Sequence, residues 1–245
     1  MILKKSLMVF CSVGALSLFA VAGCSSTPAG SDGGGGGDAD TDSGKADSGK
    51  PDSGPKPDSG PGPAMCPEPA DVTNFMPGVP NPVKAAAKVC QSGDYMAYYT
   101  ACYAMGATQT TCQNWQMANM NCYNCMVSQD TDAQWGLVVE GGGVASINVA
   151  GCLELVGDHN CAVAYAQVKQ CQDAGCKVQC PVTDNASFML YQQCITKVNA
   201  GGCKKYVDAS NTACTADAAP NVGKCTGSGG FQGLLTKLGP VFCGP

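Results

Sequence analysis

The chain has 245 residues, eighteen cysteines, a net charge of −5 and no arginine. Arginine dominates the recognition of phosphates and of guanine, and beyond residue 23 the only adjacent basic residues are Lys204 and Lys205. The composition therefore argues against a nucleic-acid partner. This density of cysteine is typical of proteins that fold in an oxidising compartment.

Residues 1–23 have the layout of a secretory leader. Lys4 and Lys5 supply its positive charge, and its apolar run is shorter than the roughly 20 residues that span a bilayer. The run closes on Val21-Ala22-Gly23-Cys24, which resembles the lipobox of bacterial lipoproteins. The resemblance implies cleavage between Gly23 and Cys24, transfer of lipid to the Cys24 thiol, and anchoring in a membrane by that lipid. The alternative is an ordinary cleaved leader in which Cys24 is a spare thiol.

The segment 24–65 has the composition of a disordered tether. Ser25 follows the anchor cysteine, and in enterobacterial lipoproteins the lack of aspartate at that position implies the outer membrane, with the periplasmic or surface face left open. Five consecutive glycines occupy 33–37, and Asp-Ser-Gly occurs four times between 42 and 60. Such a segment buries too little apolar surface to fold, and it predicts a coil of about 35 Å between its ends.

The ectodomain, residues 66–245, has few large apolar residues and many cysteines. Leu, Ile, Val and Phe make up less than a fifth of it, and its nine lysines, nine aspartates and three glutamates give a charge of −3. Removal of Cys11 with the leader and of Cys24 to lipid leaves sixteen cysteines. This even number predicts eight disulfides, each contributing about 2–4 kcal/mol.

A repeated cysteine pattern predicts three helical hairpin modules, over about 90–127, 146–180 and 184–225. In each, a helix that begins at Cys112, Cys161 or Cys203 carries an aromatic residue three or four positions later. It ends at a second cysteine ten or eleven positions on. Chance spacing among so many cysteines is the alternative. If cysteines equidistant from a hairpin turn face each other, the expected bridges are Cys102–Cys112, Cys152–Cys161, Cys194–Cys203 and Cys90–Cys122.

Two further elements complete the predicted fold. The β-rich runs 135–140 and 144–149 flank Gly141 to Gly143 and predict a β-hairpin. Residues 231–238 predict a helical turn, which Cys243 would fasten to the body. The predicted fold class is mainly α, with disulfide-stapled helical hairpins and a small β-hairpin, preceded by a disordered linker.

Motifs for catalysis, metals and cofactors are weak. The only histidine, His159, lies in a turn where Asp158 or Asn160 is expected to cap a helix. Cys122 and Cys125 form the only Cys-x2-Cys, which falls late in a predicted helix, so structural disulfides are favoured over a redox or zinc site. No cofactor and no metal is predicted.

The whole chain resembles predicted cysteine-rich lipoproteins of myxobacteria. The resemblance rests on the lipobox, the tether, Trp135-Gly136 and Asn148-Val-Ala-Gly-Cys152, and it implies an envelope location without implying an activity. Because no catalytic grouping is evident, we interpret the ectodomain as a non-enzymatic binding or structural module for a protein or glycan ligand. The alternative is an extracytoplasmic enzyme such as a carboxylate-dependent hydrolase, which would show two carboxylates with shifted pKa in one pocket.

Overall fold

The computed structural model describes residues 8–9, 66 and 68–244, except for the side chains of Met8, Val9 and Asn185. The lipobox residues Val21, Ala22, Gly23 and Cys24 lie outside the described residues, as does the predicted tether. Within the described part the protein is mainly helical with a small sheet, so the predicted fold class is confirmed. Every helix in this part is too short or too polar to span a bilayer.

Nine helices are present among the described residues. They are α1 (Asp94–Cys102), α2 (Gln109–Ala118), α3 (Met120–Met126), α4 (Val149–Leu155), α5 (His159–Cys176), α6 (Asn185–Ala200), α7 (Lys204–Ala213), α8 (Val222–Cys225) and α9 (Gly230–Cys243). The terminal helix is longer than the turn predicted over 231–238. It continues through Pro240 to Cys243.

Local sequence explains where several helices begin. Thr108 precedes α2, and its hydroxyl accepts from the Thr111 amide while the Thr111 hydroxyl accepts from the Thr108 amide. Asp184 and Ser187 form the same reciprocal arrangement before α6. Each arrangement satisfies two backbone donors that a helix start otherwise leaves unpaired.

The sheet contains the predicted β-hairpin and two further strands. Strands β3 (Val138–Gly141) and β4 (Val144–Ile147) pair antiparallel, and Gly142 and Gly143 make the turn with φ of 62° and 81°, values that favour glycine. Strand β2 (Val127–Gln129) pairs parallel with β3. A two-residue strand, β1 (Met8–Val9), pairs parallel with β4. Because β1 lies in the predicted leader, a processed chain would lack it.

Eight disulfides join all sixteen ectodomain cysteines. They are Cys66–Cys180, Cys90–Cys122, Cys102–Cys112, Cys125–Cys243, Cys152–Cys225, Cys161–Cys214, Cys171–Cys203 and Cys176–Cys194. The expected pairs Cys90–Cys122 and Cys102–Cys112 are among them. So many disulfides suggest an extracytoplasmic location.

The expected bridges Cys152–Cys161 and Cys194–Cys203 are wrong. They assumed that each helix is bonded to its neighbour in sequence. Instead, α5 lies against both α6 and α7. Two bridges join α5 to α7 in antiparallel order. Cys161, near the start of α5, is bonded to Cys214 after α7, and Cys171, farther along α5, is bonded to Cys203 before α7. These two bridges therefore connect the second and third of the predicted modules.

The buried apolar residues form two cores. The larger core lies among α1, α3, α4, the sheet, α8 and α9, and its fully buried side chains include Tyr98, Met126, Leu153 and Leu235. The smaller core lies between the C-terminal half of α5, α6 and the start of α7; its members include Val72, Phe188, Tyr191 and Val198. Helix α5 contributes residues to both cores.

Candidate binding groove on α1

An open depression runs along the solvent-facing side of α1 and the turn that leads to α2. We call this depression the α1 groove; its volume is roughly 770 Å³. It is lined by small, threonine and methionine side chains: Gly93, Met96, Ala97, Thr100, Ala101, Met105, Gly106, Ala107 and Thr111. Nine uncharged residues therefore present a shallow, open and mostly apolar surface to solvent.

The corner between α1 and α2 is held by covalent and hydrogen bonds. Cys102, the last residue of α1, is bonded to Cys112 in α2. The Thr111 hydroxyl donates to the Ala101 carbonyl at 2.8 Å, and Gly106 turns the chain with φ of 88°. The groove is therefore preformed.

Buried tyrosines hold the opposite side of α1. Tyr95 donates its hydroxyl to the Gly244 carbonyl at 2.9 Å. The Tyr98 and Tyr103 hydroxyls lie 2.9 Å apart, and the Tyr103 hydroxyl donates to Glu140 Oε1 at 3.0 Å. These bonds fix α1 against α9 and the sheet, so its free side can face solvent without loosening the helix.

The environment of these tyrosines stabilises their neutral form. Burial, together with the charge of Asp94, raises the pKa of Tyr95 to about 12. Burial is also the main cause that raises the pKa of Tyr98 and Tyr103 well above 10.0, and the Glu140 carboxylate adds to both shifts. Tyr98 and Tyr103 therefore act as neutral hydrogen-bonding partners at physiological pH.

The two methionines give the groove its chemical character. Met96 is 41% exposed and Met105 fully exposed, although methionine is among the residues most often buried. The Gln232 amide donates to Met96 Sδ at 3.3 Å, which orients that side chain at one rim. Flexible thioethers adapt to apolar partners of different shape, whereas the lining offers no ionisable group for acid–base catalysis.

The sequence pattern contained a signal for this surface. Tyr95, Tyr98 and Cys102 recur at helical spacing and are buried, so the residues between them face the other way. Met96 lies on that other side of α1, where a polar residue would be expected in an amphipathic helix. Together with Met105, it makes the exposed side of this corner more apolar than the usual solvent-facing side of a helix.

The residues considered for catalysis are not among those that line the groove. His159 begins α5 and pairs through Nδ1 with Glu154 Oε2 at 2.8 Å on the exposed surface. Asp158 stands at the N-cap position, but its side chain makes no capping bond. Its carboxylate instead accepts from the backbone amide of Asn221 at 3.0 Å.

The cysteines considered for redox or zinc chemistry belong to separate bridges. Cys122 and Cys125 are bonded to Cys90 and Cys243. Two groups of potential ligand atoms converge among the described residues: Cys66, Cys180 and Cys194, and Cys90, Asp94 and Cys122. All five cysteines in these groups are disulfide-bonded, and metal ligation requires the thiolate.

Comparison of the chain with protein-family models, curated proteins and solved structures finds no match. The groove and the cysteine framework are therefore interpreted from their own geometry.

Proposed function

We propose that the protein is a lipid-anchored envelope protein and that its ectodomain is a non-enzymatic module binding an apolar segment of a partner protein in the α1 groove. The observation that carries the proposal is the groove itself, a shallow and mostly apolar surface with exposed methionines and no charged side chain in its lining. Methionine is enriched at protein interfaces, and charged residues are depleted at their centres.

A protein segment fits this lining better than a glycan. The residues that line the groove include no aromatic ring to stack on a sugar and few polar groups to bind its hydroxyls. The lining combines Met96 and Met105 with small residues such as Ala97 and Ala101. Such a surface complements aliphatic side chains.

The proposed anchor rests on the lipobox pattern, and the cysteine count supports it. Ectodomain cysteines pair completely among themselves, so no ectodomain bridge requires Cys24. Replacement Cys24→Ala in the full chain is expected to move the protein from the membrane fraction to the soluble fraction, whereas Cys24→Ala protein that stays in membranes would contradict the anchor.

Photo-crosslinking in intact cells tests the groove. A benzophenone amino acid at position 105 of the full chain is expected to give a discrete protein adduct. The matched control is position 189, because Met189 is also an exposed methionine, 55% exposed, and lies on α6 away from the groove. The substitution Met96→Glu should abolish the adduct formed at position 105, since it places a charge in the apolar lining. Identical adducts from both positions, or none from position 105, would contradict the proposal.

A further inference from the structure

Two disulfides of the smaller core lie side by side. The sulfur atoms of Cys66, Cys180 and Cys194 all lie within 4.8 Å of one another. Cys66 is bonded to Cys180, and Cys194 is bonded to Cys176. A third sulfur thus lies beside an existing bridge, which is the arrangement that thiol–disulfide exchange requires.

The four cysteines differ in how far the residue is exposed. Cys66 is half-buried, whereas Cys180, Cys194 and Cys176 are 4%, 2% and 0% exposed. An incoming thiol can therefore reach Cys66 much more readily than the other three. Because attack on Cys66 expels the Cys180 thiolate, the leaving group is released inside the core and next to the second bridge.

The segment around Cys66 keeps its place through other contacts. The Ala70 amide donates to the Gly175 carbonyl at 2.9 Å. Val72 is 6% exposed in the smaller core, and Glu68 pairs with Lys197 at 2.8 Å. Opening of the Cys66–Cys180 bridge therefore leaves Cys180 close to Cys194 instead of releasing the whole segment.

We propose that Cys66, Cys180, Cys194 and Cys176 form a thiol–disulfide exchange relay that accepts an external thiol at Cys66. In the first step the external thiolate attacks Cys66 Sγ, forms a mixed disulfide and releases the Cys180 thiolate. In the second step the Cys180 thiolate attacks Cys194 Sγ, forms Cys180–Cys194 and releases the Cys176 thiolate. Each step makes one sulfur–sulfur bond and breaks one, and the overall reaction needs no oxidant. The external reactant is an extracytoplasmic thiol, such as a cysteine of a partner protein.

The relay gives the protein a covalent attachment point that is distinct from the α1 groove. It places a partner thiol at Cys66, the first ectodomain residue after the predicted tether. The new Cys180–Cys194 bridge still joins the end of the α5 segment to α6, so the smaller core remains crosslinked after attachment.

Mapping of the first product of reaction with reduced glutathione tests the relay. The full chain is titrated with glutathione until one bridge opens, and free thiols are then trapped with N-ethylmaleimide and located by peptide mass spectrometry without reduction. The expected product carries glutathione on Cys66, maleimide on Cys176 and a new Cys180–Cys194 link. Maleimide on Cys180 with Cys176–Cys194 intact would overturn the relay, as would a first product without glutathione on Cys66.

A matched bridge and a double variant provide the controls. Cys112 is also half-buried, but the described residues place no third sulfur within 4.8 Å of both sulfurs of the Cys102–Cys112 bridge. At higher glutathione that bridge should open without rearrangement. In Cys176→Ser/Cys194→Ser the maleimide should move to Cys180, and failure of that label to move would overturn the second step. This variant lacks the Cys176–Cys194 bridge of the smaller core. If it does not fold, the product map of the unmodified chain decides whether the relay exists.

Discussion

At the scale of single residues, Tyr103 connects three parts of the larger core, two through its hydroxyl and one through its ring. That hydroxyl lies 2.9 Å from the Tyr98 hydroxyl on α1 and 3.0 Å from Glu140 on β3. The Tyr103 ring packs against Phe231 of α9, with ring centroids 4.6 Å apart. Removal of the hydroxyl leaves the buried Tyr98 hydroxyl and the half-buried Glu140 carboxylate without this partner, while the ring contacts remain.

Tyr103→Phe should therefore lower the free energy of unfolding by about 1–3 kcal/mol, the usual cost of leaving a buried polar group unsatisfied. Tyr99→Phe is the matched control. Tyr99 is only half-buried. Removal of its hydroxyl should change the free energy of unfolding by less than about 0.5 kcal/mol. Guanidinium unfolding of the oxidised protein at pH 7 measures both. Equal losses in the two variants would show that the Tyr103 hydroxyl has no special role.

The same tyrosines predict a loss of stability at alkaline pH. In the folded protein the pKa of Tyr98 and of Tyr103 lies well above 10.0, mainly because burial disfavours the phenolate. Up to about pH 10 both states keep their protons and the stabilisation is complete. Above that pH the unfolded chain loses protons that the folded chain retains, so stability falls as pH rises, by up to about 1.4 kcal/mol per pH unit for each tyrosine.

Unfolding measured between pH 8 and pH 11 tests this dependence. Tyr103→Phe should give a shallower decline above pH 10, because one of the responsible phenols is absent. An unchanged slope in that variant would assign the alkaline loss to other groups.

At the scale of elements, the sequence predicts what depends on local patterns. The glycines between two β-rich runs predict the β3–β4 hairpin, and the bonds that begin α2 join residues as close in sequence as Thr108 and Thr111. Strand β2 could not be predicted in this way, because its three residues directly follow the helical residue Met126. Its pairing with β3 depends on distant residues: the Gly136 amide donates to Ser128 Oγ at 2.7 Å. Long-range contacts of this kind have no local signature.

The disulfides and the groove also depend partly on local spacing and partly on the packing of the fold. Cys102–Cys112 closes a short turn, so spacing alone predicts it. Cys152–Cys225 depends on the packing of α4 against α8, which spacing does not encode. For the α1 groove, helical spacing predicts which residues of α1 face solvent. Only the fold brings Met105 and Thr111 to the same depression as Met96.

Close packing of α9 against α1 gives a prediction for a single glycine. A Cβ atom added to Gly239 would overlap the ring of Tyr95, whose hydroxyl is fixed to the Gly244 carbonyl. Gly239→Ala should therefore lower the free energy of unfolding by about 1–3 kcal/mol, the usual cost of overpacking.

Gly223→Ala in α8 is the control for helix propensity. A Cβ at Gly223 meets no atom within 4 Å, so alanine should leave stability unchanged or raise it by about 0.4–1 kcal/mol. Thermal or guanidinium unfolding of both variants without reductant provides the comparison. A Gly239→Ala protein as stable as the Gly223→Ala protein would contradict close packing at the α1–α9 contact.

At the scale of the whole molecule, two cores share one helix. Cys161 of α5 lies in the larger core, and Cys171 and Cys176 lie in the smaller one. The bridges Cys161–Cys214 and Cys171–Cys203 fasten the two ends of α7 to α5. A substitution that weakens the packing of one core should therefore leave the stability of the other core unchanged, because these disulfides keep the shared helix in place.

Native-state hydrogen exchange can separate the two cores. Leu235 is fully buried in the larger core and Phe188 is 9% exposed in the smaller one. Leu235→Ala should lower protection in α1, α4 and α9 by about 2–5 kcal/mol, and Phe188→Ala should lower protection in α6 by about 3–5 kcal/mol. Each variant serves as the control for the other. If either substitution lowers protection equally in both sets of helices, the cores unfold as one unit. In that case the disulfides couple them instead of isolating them.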